Sequence, residues 1–307
     1  MTVKTVAIAG AGDVAKYLVE ELMRTNHRTI VLSRANRDWF VNQRVEIRIT
    51  DYTEASITPL LKDVDVLISL LRDEGDFYIT AHLAMIAACN MSPRCKRFIP
   101  SEFGGNIEDY PQQPVFHVPT HGPIRKVLAS QLKFEYTLFN MGWFMDYFIP
   151  SDKTYLKPLP DIWPLDVKQK TLRLLGSGDE PVTFTAARDA ARALARLVDV
   201  PTWPIYTYVA GETTTWNQVL RKMEKRFQTK FEVSKRPQSE IEKSIDNFDD
   251  GDIESIGLDH MDLWNATGAV GLPSDKTEQQ RLTIFNNMEF MSIEEFMDKA
   301  EANDSVV

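Results

Sequence analysis

Val6-Ala7-Ile8-Ala9-Gly10-Ala11-Gly12-Asp13-Val14-Ala15 decides the fold of this 307-residue chain. A short apolar run feeds a turn of small residues. The turn opens into a segment where Val14, Leu18 and Leu22 recur every four residues, one face of a helix. Gly10 permits the tight turn, and Gly12 lets the backbone approach a phosphate group. Ala15 stands where a third glycine would let helix and strand pack closely, so the pattern reads GxGxxA. A helix that starts this way presents the free N–H groups of Asp13 and Val14 to an anion. This is the arrangement that holds a dinucleotide.

Working outward, β-branched or aromatic runs of strand length occupy 29–32, 45–49, 64–71, 98–99 and 136–139, with helical stretches such as 77–88 and 124–132 between them. That alternation implies right-handed crossovers and a doubly wound α/β fold of Rossmann type, its parallel sheet covered on both faces. From about residue 150 the rhythm changes. Pro150, Pro158, Pro160 and Pro164 crowd together, 186–198 reads as a helix, 205–209 as one more strand and 216–227 as an amphipathic helix. We expect a cofactor domain over 1–150, rejoined by 186–210, and a smaller mixed α/β substrate domain built from 151–185 and 211–307. The acidic stretch 246–254 reads as a solvated loop. Aligned as an EF-hand with Gly251 at position six, it puts Phe248 at position three and Gly257 at position twelve, so it is no calcium loop.

Composition narrows the function classes. The chain has 35 Lys and Arg against 44 Asp and Glu, a net charge of −9, which argues against nucleic acid as a partner. No run reaches 18 apolar residues, so no membrane span is expected, and the N-terminal apolar run is too short for a signal peptide. Cys89 and Cys95 form no CxxC pair and suggest a reducing, cytoplasmic setting. The expected partner is a small molecule; spacing does not separate a monomer from a homodimer.

The end of the second strand selects the dinucleotide. Ser33 and Arg34 stand where NAD-selective proteins carry an acid for the ribose 2′-hydroxyl. A hydroxyl and a guanidinium suit a 2′-phosphate instead, and Arg37 can assist, so NADPH is favoured over NADH. By topology, Asp51 after the third strand flanks the adenine, and Ser69 and Leu70 pass beneath the cofactor.

Arg97-Phe98-Ile99-Pro100-Ser101-Glu102-Phe103-Gly104 is the most distinctive segment. It resembles the hallmark of the NmrA-like group of atypical short-chain dehydrogenases, which includes the isoflavone, pinoresinol–lariciresinol and phenylcoumaran benzylic ether reductases. The likeness runs in order through the glycine turn, Ser33-Arg34, Ile124-Arg125-Lys126, Tyr136-Thr137, 144–148, the residues around Asp189 and Val209-Ala210-Gly211. It implies NADPH across the first domain and a small, often aromatic substrate in a cleft. Pro100 and Ser101 become candidate cofactor contacts. Glu102, Phe103, Trp143, Phe144 and Tyr147 become candidate substrate contacts, although Glu102 also suits a loop-fixing role and most of the aromatic run suits a core. Asp189 reads as a helix-stabilising residue.

The chain departs from that family at two points. Its glycine turn carries Ala9 and Ala15 where the family has glycines. The family's catalytic lysine, three residues before the Ile-Arg-Arg motif, is His121 here, and no tyrosine has a lysine four residues later. His121 titrates near neutrality in its free form and is the candidate catalytic acid or base, with substrate binding or capping of a helix beginning near Pro123 as its other roles. His117 and His121 lie four apart, but Pro119 disfavours a continuous helix there and no acid completes a set, so no metal site is expected. The resemblance leaves three functions open: a reductase of a carbonyl or conjugated alkene in a secondary-metabolite-like substrate, an NADP(H)-sensing regulator without turnover, and a non-redox cyclase, isomerase or dehydratase.

Overall fold

The computed structural model describes residues 2–43, 45–72, 75–248 and 253–307. Six strands, β1 (Thr5–Ala9), β2 (Arg28–Ser33), β3 (Glu46–Ile49), β4 (Val66–Ser69), β5 (Arg97–Ile99) and β6 (Glu135–Tyr136), form one parallel sheet in the order 3-2-1-4-5-6. The helices between them are α1 (Asp13–Met23), α2 (Asp38–Asn42), α3 (Glu54–Ile57), α4 (Asp76–Met91) and α5 (Val118–Ser130). The order reverses between β1 and β4, and the crevice outside that switch point is where open α/β sheets bind ligands.

Side chains on β1 alternate between two cores, as the period of a strand requires. Val6 and Ile8 join Leu18, Leu22 and Val31 on one face; Ala7 and Ala9 join Ile30, Met85 and Leu128 on the other. Both faces are therefore apolar and covered, which is why these strands read as continuous hydrophobic runs.

The expected strand over 136–139 is divided at Thr137. β6 stops at Tyr136, and β7 (Leu138–Asn140) leaves the large sheet. The Thr137 hydroxyl sits 2.7 Å from that of Thr207. After β8 (Trp143–Phe144), β9 (Leu165–Asp166), β10 (Thr171–Leu175) and β11 (Pro181–Thr185) comes α6 (Ala187–Asp199), then β12 (Tyr206–Tyr208), which pairs parallel to β7. α6 packs against α1 and completes the first core. Asp146 ties these parts together: fully buried, it accepts hydrogen bonds from Tyr17 Oη (3.0 Å), Thr154 Oγ1 (2.9 Å) and the Ala187 N–H that opens α6 (2.7 Å).

The remaining chain contributes β13 (Glu212–Thr215), α7 (Trp216–Phe227), β14 (Glu232–Arg236), α8 (Gln238–Asp246), α9 (Ile253–Ala266), α10 (Ser274–Thr283) and α11 (Ile293–Ala302). Two three-stranded sheets, β14-β10-β9 and β13-β11-β8, enclose a separate core around Trp143, Phe148, Phe184, Trp216 and Phe296. Asp189 lies in the first turn of α6, where it accepts from the Met291 backbone at 2.9 Å and from Arg192 at 3.0 Å. Of the acidic stretch 246–254, Asp246 ends α8, and 249–252 lie outside the described residues. No helix among the described residues is long and apolar enough to cross a membrane.

Candidate functional site

The glycine turn closes over the end of β4. Gly10 has φ +110°, and its N–H donates to Leu32 O at 3.0 Å; a Cβ there would stand 3.1 Å from both the carbonyl carbon and oxygen of Leu70. Only glycine takes that backbone without strain. Gly12, the residue before α1, has open space above it and no side-chain cap on the helix. The first N–H groups of α1, Asp13 and Val14 among them, thus line a shelf suited to a phosphate. Asp13, an unfavourable charge beside an anion, is paired with Lys16 at 2.9 Å. Ala15 is fully buried, so its methyl belongs to the core below the turn. Ser69 is also fully buried, its Oγ 3.5 Å from the Leu71 N–H.

Beyond β2, Ser33 Oγ donates to Ala35 O at 2.8 Å and shapes the loop that carries Arg34 and Arg37, both exposed. The Arg34 guanidinium lies 5.1 Å from the centre of the Phe77 ring and, like Arg37, forms no ion pair among the described residues. Phe77 meets Tyr52 edge-on at 5.9 Å, and Tyr52 donates to Leu32 O at 2.6 Å. Asp51 accepts from the Thr53 N–H and hydroxyl. Between this turn and α4 runs a groove of about 550 Å³, lined by Asp51, Tyr52, Phe77 and Leu83. A flat heterocycle would find Tyr52, Phe77 and Leu83 as apolar walls there, with the Arg34 guanidinium against the same Phe77 ring.

At the end of β5 the segment 100–104 is held from three sides. Tyr78 Oη donates to Ser101 O (2.8 Å), and the Ser101 N–H donates to His82 Nε2 (3.3 Å). His82 Nδ1 lies 2.8 Å from Tyr78 O, so it carries the proton of a neutral ring whose other nitrogen accepts. Glu102 is buried, and both of its oxygens are engaged by Arg125, at 3.0 and 2.7 Å. That bidentate pair leaves Glu102 to act on the site through the loop it fixes. Phe103 adopts φ +40° and packs on Phe139. Pro100 is buried, whereas Ser101 is half-exposed.

α5 begins at Val118, earlier than the prolines suggested, because Pro119 falls in the first turn, where a backbone N–H has no helical partner. His121 is therefore inside the helix, and capping at Pro123 is ruled out. Four rings stack in a column: His82 on Tyr78 (centroids 4.0 Å apart), Tyr78 on His121 (4.1 Å) and His121 on His117 (4.1 Å). His121 is 3% exposed, with Nδ1 2.9 Å from Thr120 Oγ1. Burial holds all three imidazoles neutral. It lowers His82 to about 4; with neighbouring positive charge it lowers His117 and His121 to about 3. The described residues contain no group of three or more His, Cys, Asp or Glu that could hold a metal.

The aromatic run divides. Trp143 is buried, its indole N–H donating to Asn265 Oδ1 at 3.0 Å, and packs on Trp163 and Trp264. Its contacts are those of a core residue. Phe144 and Tyr147 are only partly buried, and the charges that act on Tyr147 include those of Arg72, just after β4, and Asp13 of α1. Tyr78, His82, Thr120 and Phe77 were not singled out in the sequence. The signal available was the repeated spacing of four, Tyr78 to His82 and His117 to His121, on two helices that pack together.

Comparison with known proteins agrees with this architecture. The model of the NmrA-like family matches residues 2–297. The oxidoreductase swnR of Arthroderma benhamiae is 35% identical over 292 residues, covering 94% of this chain and 95% of that protein. Among solved structures, AtPrR2 with NADP+ and (+)pinoresinol superposes with a TM-score of 0.77 at 18% identity, covering 98% of this chain and 99% of the other. The leucoanthocyanidin reductase–NADPH complex from Vitis vinifera gives 0.76 at 16% identity, over 97% of this chain and all of the other.

Proposed function

Because the chain belongs to the NmrA-like family, we propose that it is an NADPH-dependent oxidoreductase that delivers hydride to a carbonyl or conjugated alkene of a small apolar or aromatic substrate. The observation that carries this reading is the shelf at Gly10 and Gly12 together with Arg34, an exposed guanidinium at the end of β2 where an acid would select NADH. The swnR relative's name, and the NADP+ and NADPH in the solved neighbours, support it. Residues 151–185 and 211–307 supply the substrate walls in this reading, with Phe144 and Tyr147 facing the cleft.

The bound cofactor supplies hydride from its nicotinamide. The protein's residues position and polarise. Gly12, Asp13 and Val14 would offer backbone to the pyrophosphate, Arg34 and Arg37 would hold the 2′-phosphate on the loop that Ser33 shapes, and Asp51 would border the adenine. Ser69, Leu70, Pro100 and Ser101 would line the nicotinamide end of the site. His121 takes the place of the family lysine. Burial holds it neutral, so in this reading it takes part as a neutral hydrogen-bonding group while water supplies the proton. The reaction's pH profile is then expected to show no inflection from this residue between pH 5 and 8.

Titration with NADPH and NADH tests the reading. Wild type is expected to prefer NADPH, and Arg34→Ala to lose about tenfold or more of that preference, as loss of a charge-assisted phosphate contact of about 1.5–3 kcal/mol implies. Equal affinity of wild type for both dinucleotides would remove Arg34 from the site; binding of neither would exclude the reductase.

A further inference from the structure

Beyond Ile99 the chain leaves the sheet, and the Ser101 peptide bonds to two side chains of α4 instead of a strand. Its N–H donates to His82 Nε2 at 3.3 Å, and its carbonyl accepts from Tyr78 Oη at 2.8 Å. Ser101 itself is half-exposed, and its hydroxyl forms no hydrogen bond among the described residues. The core around α4 does not ask for polar groups here. His82 is fully buried and Tyr78 is 1% exposed, on a helix whose other buried residues include Ala81, Met85 and Ile86. A buried imidazole costs free energy unless its nitrogens are bonded, and leucine would fill similar space without that cost. Both nitrogens are used: Nδ1 donates to Tyr78 O at 2.8 Å, which leaves Nε2 to accept the Ser101 N–H. Stacking between His82 and His121, at 4.0 and 4.1 Å, fixes the plane of the Tyr78 ring and so aims its hydroxyl.

We propose that Tyr78 and His82 are positioning residues: by gripping the Ser101 peptide from both sides, they hold the nicotinamide end of the site rigid around the bound dinucleotide. This rests on the reductase reading for the identity of the ring that Ser101 meets. The grip does not change across the neutral pH range. Burial lowers His82 to about 4 and raises Tyr78 well above its ordinary value, so the first stays an acceptor and the second a donor. Arg125 of α5 fixes Glu102, the next residue, so each helix clamps one residue of the segment. Neither Tyr78 nor His82 lies on the glycine turn or the loop after β2, where the phosphates would bind. Affinity for the dinucleotide and immobility of its reactive ring therefore separate in an experiment.

The test is the fluorescence decay of NADPH bound to the full chain, which lengthens as the nicotinamide is immobilised, read beside calorimetric affinity. Tyr78→Phe keeps the stacked ring and deletes one hydroxyl. His82→Leu deletes the acceptor, and His82→Gln returns a side-chain oxygen near the place of Nε2. Tyr78→Phe and His82→Leu are expected to speed amide exchange at Ser101 by roughly two- to tenfold, as loss of one hydrogen bond allows. Both are expected to shorten the decay of bound NADPH while its affinity stays within about threefold of wild type. His82→Gln is expected to bring both readings back toward wild type. Faster Ser101 exchange with an unchanged decay in Tyr78→Phe and His82→Leu would show that the grip serves the fold alone, and would overturn the proposal. A His82→Gln variant that behaves as His82→Leu, or a wild-type decay no longer than that of free NADPH, would overturn it while leaving the reductase reading in place. Absence of NADPH binding to wild type, seen in the calorimetry, would overturn that reading and the proposal with it.

Discussion

Replacing Arg125 by Ala is expected to lower the unfolding free energy by about 3–5 kcal/mol, the usual loss when one member of a buried ion pair is removed. The Glu102 side chain is 1% exposed and that of Arg125 15%, and the two share a bidentate contact at 2.7 and 3.0 Å. Without the guanidinium, Glu102 faces its burial uncompensated, and Pro111 O loses a donor as well. The damage extends beyond stability. Glu102 anchors the segment where Phe103 is held at φ +40°, a conformation that the surroundings must enforce. Urea denaturation of wild type, Arg125→Ala and the double variant Arg125→Met with Glu102→Leu measures this directly. The double variant is expected to recover most of the loss, because apolar groups of similar size remove the desolvation cost on both sides. A single-variant loss below 1 kcal/mol would mean that solvent screens the pair.

Acidification from pH 7 to pH 4.5 is expected to destabilise the fold steeply before most carboxylates titrate. His82 has a folded pKa of about 4 against 6.5 for the free side chain. The unfolded chain therefore binds the extra proton first as pH falls through 6.5, and stability drops between there and 4. This one residue accounts for about 3 kcal/mol over that interval, at 1.36 kcal/mol per pH unit. His117 and His121 are lowered in the same direction, to about 3. They face each other, so their contributions steepen the same slope without summing. Melting temperatures recorded from pH 7.5 to 4.5 check the slope, and His82→Phe, which keeps a ring on Tyr78, is expected to flatten part of it. A melting temperature constant down to pH 5 would show that protons reach these rings without unfolding.

The large sheet could be read in advance because its central strands β1, β2 and β4 are buried on both faces and α1 between the first two carries a clear helical period. The glycine turn was equally plain, since a strand, Gly10 and a helix in immediate succession have few other uses. Three features escaped for physical reasons. The break at Thr137 follows from a pairing with Thr207 seventy residues away, and nothing local to 136–139 announces it. The start of α5 was obscured by Pro119, whose missing N–H is harmless in a first turn. The smaller sheets contain strands as short as Leu165–Asp166, too brief to show a period. Of the ring column, the sequence singled out His121, as a substitution in a familiar motif, and His117 only as its neighbour four residues before. The ring column needs Tyr78 and His82 from α4, and only the packing of α4 on α5 interleaves them with His117 and His121. Glu102 and Arg125 were each visible in their own motifs, 23 residues apart; that they neutralise each other was not.

The position of α6 also sets a timetable for synthesis. α1 is complete at Met23, yet the helix that covers it begins at Ala187, some 160 residues later. At about 5–20 residues per second, a nascent chain holds Leu18, Leu22 and their sheet face bare for roughly ten to thirty seconds. Contacts of such long range slow folding, so this face of the sheet closes only after synthesis has passed Asp199.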